Sequence, residues 1–352
     1  MKNTESITSL SSGFQGKSRI WRALRGLYFT SVLKAAVKLD LFNLLADNPL
    51  TGEEIKTCLK LNGRGIYDFW DTLVSLELLE RNGNGKKARY SNTAEISLFL
   101  VKGSPQYFGG WFKYKMPELE HIWGSLVEAL KTGKPQKYEM KQGEKEIFDV
   151  TYDSEDTCSS FVEGMNFGQL ASFKDFSQKF DFSPYNTLCD IGGSNGLFSI
   201  LVAEQNKHMK CITFDLPAVE ALAKGKIKKS GLSDCIEVVS GDFFEDDFPS
   251  GDIITMGNIL HDWNLEQKKL LIKKAYDALP DGGVFVAIES IIDNERRKNT
   301  EGLLMSLHML LVTNGGFDFT AADFDLWAKK TGFKRTTFMP LSSDSNCVIA
   351  YK

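Results

Sequence analysis

Asp190-Ile-Gly-Gly-Ser-Asn-Gly196 closes an apolar run that begins at Thr187 and opens the amphipathic stretch that follows Leu197. An acid at a strand end, followed by glycines where the chain turns into a helix, lets the backbone bend sharply and approach a ligand closely. A dinucleotide loop would need glycine at 192, 194 and 197, but positions 194 and 197 are Ser and Leu. The motif therefore suits a nucleotide-like cofactor that carries positive charge and no phosphate. Taken alone it is equally compatible with a structural turn.

Downstream, short apolar runs recur at KCITFDL (210–216), CIEVVSG (235–241), DIITM (252–256), GVFVAIES (283–290), TTFMPL (336–341) and CVIAYK (347–352). Most alternate with amphipathic helices, which predicts an α/β fold with a doubly wound, mostly parallel sheet. No helix separates the last two runs, so they predict an antiparallel edge. The second strand ends in Asp215-Leu216, where such folds place an acid on ribose hydroxyls. The third ends in Gly241-Asp-Phe-Phe244, which offers Asp242 to an adenine amino group and Phe243 to its ring. Singly, Asp215 reads as a helix cap and the phenylalanines as core. Three ligand-compatible strand ends in sequence instead indicate S-adenosylmethionine, with Asp190, Gly192, Gly193, Gly196, Asp215, Leu216, Asp242, Phe243 and Asn258 as candidate cofactor residues.

The fourth strand end carries Asn258-Ile-Leu-His-Asp-Trp263 and the fifth carries Glu289. Of the four histidines, His121 and His208 sit in polar contexts and read as surface residues. His261 lies on the sheet edge where ligands bind, and a carboxylate on the neighbouring strand end can fix its tautomer and raise its basicity. Asn264 and Gln267 already form a capping box for the next helix, which frees Asp262 for another role. The fourth histidine, His308, is polar in the apolar stretch Leu303 to Val312, so it is either hydrogen-bonded core or a reader of substrate oxygen.

Upstream, apolar residues recur at helical spacing from Trp21 to about Asn48, Thr51-Gly-Glu-Glu54 is a capping box, and a further helix is expected from Asn62 or Gly63. Two strand-like arms flank Asn82-Gly-Asn-Gly85. Helices followed by a hairpin make a winged-helix pattern. An aromatic, mostly helical connector (Phe108, Trp111, Phe112, Trp123, Phe148, Phe161, Phe167, Phe173) follows, giving expected domains at 1–104 and 105–352, with the connector at 105–182. The 352 residues carry a net charge of −4, 42% hydrophobic and 25% charged residues, which excludes disorder and an overall nucleic-acid or membrane footprint. Six cysteines without metal or disulfide spacing, a polar N-terminus and apolar stretches too short to span a bilayer predict buried thiols in a cytoplasmic protein without a metal.

DIGGSNG, FDLP, GDFF, ILHDW, the ALPDGG turn before the strand ending at Glu289, and NGGFDFT at 314–320 resemble the two-domain S-adenosylmethionine-dependent O-methyltransferases of plant phenolic, acetylserotonin and bacterial antibiotic-tailoring type. The resemblance spans nearly the whole chain and implies an N-terminal winged-helix-like dimerisation domain. It implies His261 as general base held by Glu289, with Asp190, Gly192, Asp215, Asp242 and Phe243 around the cofactor. Where plant members have GGKERT, this chain has Gly315-Gly-Phe-Asp-Phe-Thr320, so Asp318 keeps the charge with a shorter reach. The lysine four residues before the histidine in many plant members is Gly257 here. Their F-N-x-A-M segment reads Phe161-Val-Glu-Gly-Met165, which places Met165 beside cofactor and substrate. These departures bear on the substrate more than on the reaction.

The expected acceptor is a small, flat, largely apolar molecule with a phenolic hydroxyl, bound by Phe161, Met165, Met305, His308 and Met309. For Met305 and Met309, core filling is the more ordinary role. A relative methylating carbon or nitrogen, or not methylating at all, is the alternative on the same fold. A winged-helix DNA-binding regulator is the alternative of another class, favoured by 14 basic against 10 acidic residues in 1–100. Against it, the helix that would enter the groove has Asp68, Asp71, Glu77 and Glu80 facing Arg64 alone. Trp21, Leu24, Leu27 and Tyr28 give the first helix more apolar surface than a small domain covers, which predicts a homodimer.

Overall fold

The computed structural model describes residues 19–104, 106–114, 116–136, 155–342 and 345–352. The polar N-terminal stretch before Arg19 and Phe148 of the connector lie outside the described residues. The chain divides into two units, Met1–Met116 and Pro117–Lys352.

In the first unit, helices Arg19–Lys38, Leu41–Leu44, Gly52–Cys58 and Ile66–Ser75 surround β1 (Leu50–Thr51), β2 (Leu79–Asn82) and β3 (Arg89–Asn92), an antiparallel sheet of order β1-β3-β2. Its core joins Ala36, Leu41, Phe42, Ile55, Trp70, Leu73 and Tyr90. Thr51 and Glu54 form the expected capping box. The helix expected from Asn62 or Gly63 starts instead at Ile66, with Gly65 as a cap that offers no side chain. Gly63 and Gly65 flank Arg64, and two glycines lose more backbone freedom in a helix than in a turn. The hairpin is looser than a two-residue turn, because Gly85–Lys87 form a 3₁₀ turn between its arms. Cys58 ends its helix exposed, contrary to the buried reading of the cysteines, while Cys158, Cys189, Cys211 and Cys347 are buried; all six are free.

The second unit holds β4 (Thr187–Ile191), β5 (Lys210–Asp215), β6 (Ile236–Ser240), β7 (Ile253–Gly257), β8 (Val284–Glu289), β9 (Arg335–Pro340) and β10 (Asn346–Tyr351) in the order β6-β5-β4-β7-β8-β10-β9. The first five are parallel, and β10 pairs antiparallel with both β8 and β9, forming the expected edge. Strand side chains alternate between two cores. Cys189, Ile191, Phe285 and Ala287 meet helices Leu265–Ala278 and Ala321–Thr331 on one face. Leu188, Val284, Val286 and Ile288 meet Phe198 and Phe176 on the other. The strand order reverses between β4 and β7, so a crevice opens beyond their C-terminal ends, where open α/β sheets bind ligands.

Candidate active site

β4 ends in Asp190, whose carboxylate accepts a 2.8 Å hydrogen bond from Thr255 on the paired strand β7. Burial pushes its pKa up to about 7 despite that bond. Beyond it the chain turns with Gly192 and Gly196 in the left-handed region. A Cβ at Gly192 would strike the Ile259 side chain, and one at Gly193 would strike Thr213 and Asp190. The loop spends its own donors: Gly192 and Gly193 N–H groups donate to the Phe214 carbonyl, and Ser194 N–H donates to the Asp215 carboxylate at 2.7 Å. A pyrophosphate cradle needs those N–H groups free. The strand ends thus offer carboxylates in place of free N–H groups, which fits a cationic, phosphate-free cofactor.

Asp215 also accepts from Leu216 N–H at 2.7 Å, and burial raises its pKa to about 6 against these two bonds. Asp242 turns its loop by accepting from Phe244 N–H at 2.8 Å. Phe243 and Phe244 meet Trp263 edge-on, with ring centroids 5.7 and 4.6 Å away, which joins the β6 end to the His261 turn. Asn258 leaves β7 with a positive φ of 53°, and its N–H donates to Ile288 on β8. Gly257, where plant members carry lysine, abuts the Phe173 ring, which stands 2.5 Å from where a Cβ would be.

His261, 7% exposed, stands in the 3₁₀ turn Leu260–Asp262. Its Nδ1 lies 3.2 Å from Glu289 Oε2 and 3.7 Å from Asp318 Oδ1, and its Nε2 lies 3.5 Å from Asp262 Oδ1. The other oxygen of Glu289 accepts from Ile259 and Leu260 N–H groups, which pins the turn to β8. Burial alone would depress the His261 pKa, but the charges of Glu289, Asp262 and Asp318 outweigh it and raise it well above an ordinary histidine. Burial raises that of Glu289 in turn. Asp318 is 1% exposed, and neither of its oxygens has a hydrogen-bond partner among the described residues. Donor atoms of His261, Glu289 and Asp318 fall within 4.8 Å of one another. The expected Asn264–Gln267 capping box is present.

Helix Thr300–Val312 packs against this turn. Met309 is buried in a cluster with Ile122, Ala129 and Leu311, and Met305 packs against that cluster. The His308 ring lies parallel to Trp123, centroids 6.2 Å apart, with Nδ1 buried and unpartnered among the described residues. Burial first, and the nearby His261 charge second, pull its pKa down to about 4, so this imidazole is neutral at physiological pH. On helix Glu155–Lys179, Phe161 packs against Cys158, Val162 and Val219, and Met165 is half-buried. His121 and His208 are exposed, as expected.

Two features of the site escaped the sequence reading. Trp123 pairs with His308 through helix packing that no local pattern encodes. Lys268 is fully buried beside the histidine turn; its spacing from Leu271, Ile272 and Ala275 puts it on the apolar stripe of its helix, and that is the signal that could have found it.

A model of the O-methyltransferase domain matches residues 123–334, and a model of the O-methyltransferase dimerisation domain matches residues 21–102. The tetracenomycin polyketide synthesis 8-O-methyl transferase TcmO of Streptomyces glaucescens is 31% identical over 96% of this chain and 97% of its own length. The N,N-dimethyltransferase OxyT of Streptomyces rimosus is 31% identical over 86% of each chain. The crystal structure of human N-acetylserotonin methyltransferase in complex with S-adenosylmethionine superposes with a TM-score of 0.84 at 28% identity, covering 96% of this chain and 99% of that one.

Proposed function

Because this chain belongs to the S-adenosylmethionine-dependent O-methyltransferases, we propose that it methylates a phenolic hydroxyl of a small, flat, largely apolar acceptor, with His261 as general base. The observation that carries the reading is the His261 turn, with Glu289 and Asp318 facing Nδ1 from the next strand end and the next loop. With Nδ1–H held toward these carboxylates, Nε2 is the atom that accepts the phenolic proton. A phenol with a pKa near ~10 needs such a base at neutral pH. Bound S-adenosylmethionine supplies an electrophilic methyl carbon. The chain holds the acceptor oxygen behind that carbon, and orientation contributes much of the rate.

Asp190, the loop glycines Gly192, Gly193 and Gly196, Asp215, Leu216, Asp242, Phe243 and Asn258 surround the cofactor in this reading. The parallel Trp123 and His308 rings, with Phe161, Met165, Met305 and Met309, take the flat acceptor, and the neutral His308 offers its unpartnered Nδ1 to a substrate polar atom. A buried lysine already answers the negative charge around His261, so we read that cluster as an acid–base group and not as a metal centre. The first unit pairs two chains instead of binding DNA: Arg81 is committed to Asp71 at 2.7 Å and Arg89 lies 3.8 Å from Glu54, which consumes charge that phosphate contacts would require. Six free thiols suit the reducing cytosol. No helix among the described residues is long and apolar enough to cross a membrane.

The test is incubation with methyl-labelled cofactor and a panel of matched phenols and aryl amines, read by mass. Label on phenolic oxygen supports the reading. Label only on amines, which need no prior deprotonation, would move the chain to the chemistry that OxyT is named for.

A further inference from the structure

Of the four lysines in the helix Leu265–Ala278, Lys269 and Lys273 pair with surface acids and Lys274 donates to loop carbonyls. Lys268 differs from all three in its burial. It is fully buried and shares one helical stripe with Leu271, Ile272 and Ala275, a position whose neighbours call for an aliphatic side chain. Burying an ammonium costs several kcal/mol, on the order of what a whole domain has to spare, unless charge nearby compensates. Its Nζ donates a hydrogen bond to the Trp263 carbonyl and sits 3.7 Å from the centre of the Phe317 ring. Trp263 is two residues beyond His261, and Phe317 immediately precedes Asp318. One side chain thus ties together the two loops that carry the imidazole and its second carboxylate.

The charge around it explains why it is lysine. Glu289, Asp318 and Asp262 are the charged groups that act on Lys268, and all three crowd His261. Three carboxylates against one imidazole leave an excess of negative charge in a largely buried site, and such a cluster draws in protons. We propose that Lys268 is a positioning residue of the methyl transfer: its buried ammonium, anchored on the Trp263 carbonyl, is the fixed counter-charge that lets Glu289 stand ionised beside His261. The assignment rests on the reading of His261 as general base. Burial lowers the Lys268 pKa to about 8 and the carboxylates oppose that fall, so the ammonium persists at neutral pH. An ionised Glu289 keeps its two N–H bonds to the turn and its grip on Nδ1. A protonated one holds the ring with less force.

The experiment is the pH profile of kcat/KM for wild type, Lys268→Met and His261→Ala, with unfolding midpoints measured alongside. Removing a positive charge raises the proton affinity of the whole cluster, so the acid limb of Lys268→Met should move up by about one pH unit or more, with a high-pH plateau near that of wild type. A folded Lys268→Met whose limb superimposes on that of wild type would overturn the proposal and leave Lys268 as packing. If that variant does not fold, NMR titration of the Lys268 side chain in wild type and Glu289→Gln decides. A fall of about one unit or more in the variant supports the coupling, and an unchanged value overturns it. Wild-type turnover in His261→Ala would overturn the base assignment separately, whatever the lysine titration reads.

Discussion

His261 holds its proton more tightly than an ordinary histidine because Glu289, Asp262 and Asp318 together outweigh the opposing effect of burial. A base must first be free of that proton, so kcat/KM should still be rising with pH above about 8, where an unpaired histidine near ~6.5 would already have levelled off. Glu289→Gln removes one of the charges, so its acid limb should move to lower pH while its plateau falls by about tenfold from lost orientation. His261→Ala should lower turnover by about 10²–10⁴-fold at neutral pH, recover in part at high pH where the phenol ionises unaided, and leave the cofactor dissociation constant nearly unchanged in calorimetry. Undiminished turnover at neutral pH would transfer the base role to Asp262 or Asp318. Both His261 and Glu289 are legible in the sequence because strand ends in a doubly wound sheet must meet along one edge. Lys268 is hidden in a Lys-Lys pair that looks like any solvated helix face until the register of the stripe is fixed by packing.

Among the elements, the segment between Thr313 and Thr320 does most to build the site. Thr313 accepts from Gly316 N–H at 2.8 Å, Asp318 N–H donates to Ser306 at 3.2 Å, and Ile292 N–H donates to the Phe319 carbonyl. A Cβ at Gly316 would lie 2.5 Å from the His261 carbonyl and 2.7 Å from that of Asp262, so only glycine lets this segment lie against the histidine turn. Gly316→Ala must push the segment away and carry Asp318 with it. We expect a loss of about 1–3 kcal/mol in stability by urea denaturation, together with a fall in kcat larger than the rise in KM. Unchanged stability and kinetics would mean that the segment yields without moving Asp318. The seven strands of the large sheet are readable because each is an apolar run bounded by turn residues, and both faces of the sheet are covered. Sequence was less informative at Asn62 to Gly65 and around Gly83 to Lys87, where glycines permit several turns and tertiary packing chooses one.

For the whole molecule, the buried acids set the pH dependence of stability. Asp190 titrates near 7 and Asp215 near 6 in the folded chain, both raised by burial. A raised acid is held protonated by the fold, so its stabilising contribution is complete below the unfolded value near ~4 and is lost as pH rises through the folded value. The contribution of these two acids to the free energy of unfolding should therefore decline between about pH 4 and 7, and Asp190→Asn should flatten that decline by about 1–3 kcal/mol in urea titrations at the two pH values. An equally steep decline in the variant would place the dependence elsewhere. Assembly follows from the first unit. Ile20, Trp21, Leu24, Leu27, Tyr28 and Phe29 are about half exposed or more along helix Arg19–Lys38, with Ile20 at 69% and Leu27 at 66%. Such a stripe exceeds what a monomer leaves in water, and the matched dimerisation domain begins at residue 21. If a second copy covers it, each buried leucine contributes about 1.5–3 kcal/mol, so Leu24→Glu with Leu27→Glu should weaken self-association by about 10²–10⁴-fold. Sedimentation equilibrium of the full chain at micromolar concentration should show a dimer that this double variant converts to monomer, with thermal unfolding of the second unit little changed. A wild-type chain that sediments as a monomer would leave the stripe without a partner and overturn the homodimer.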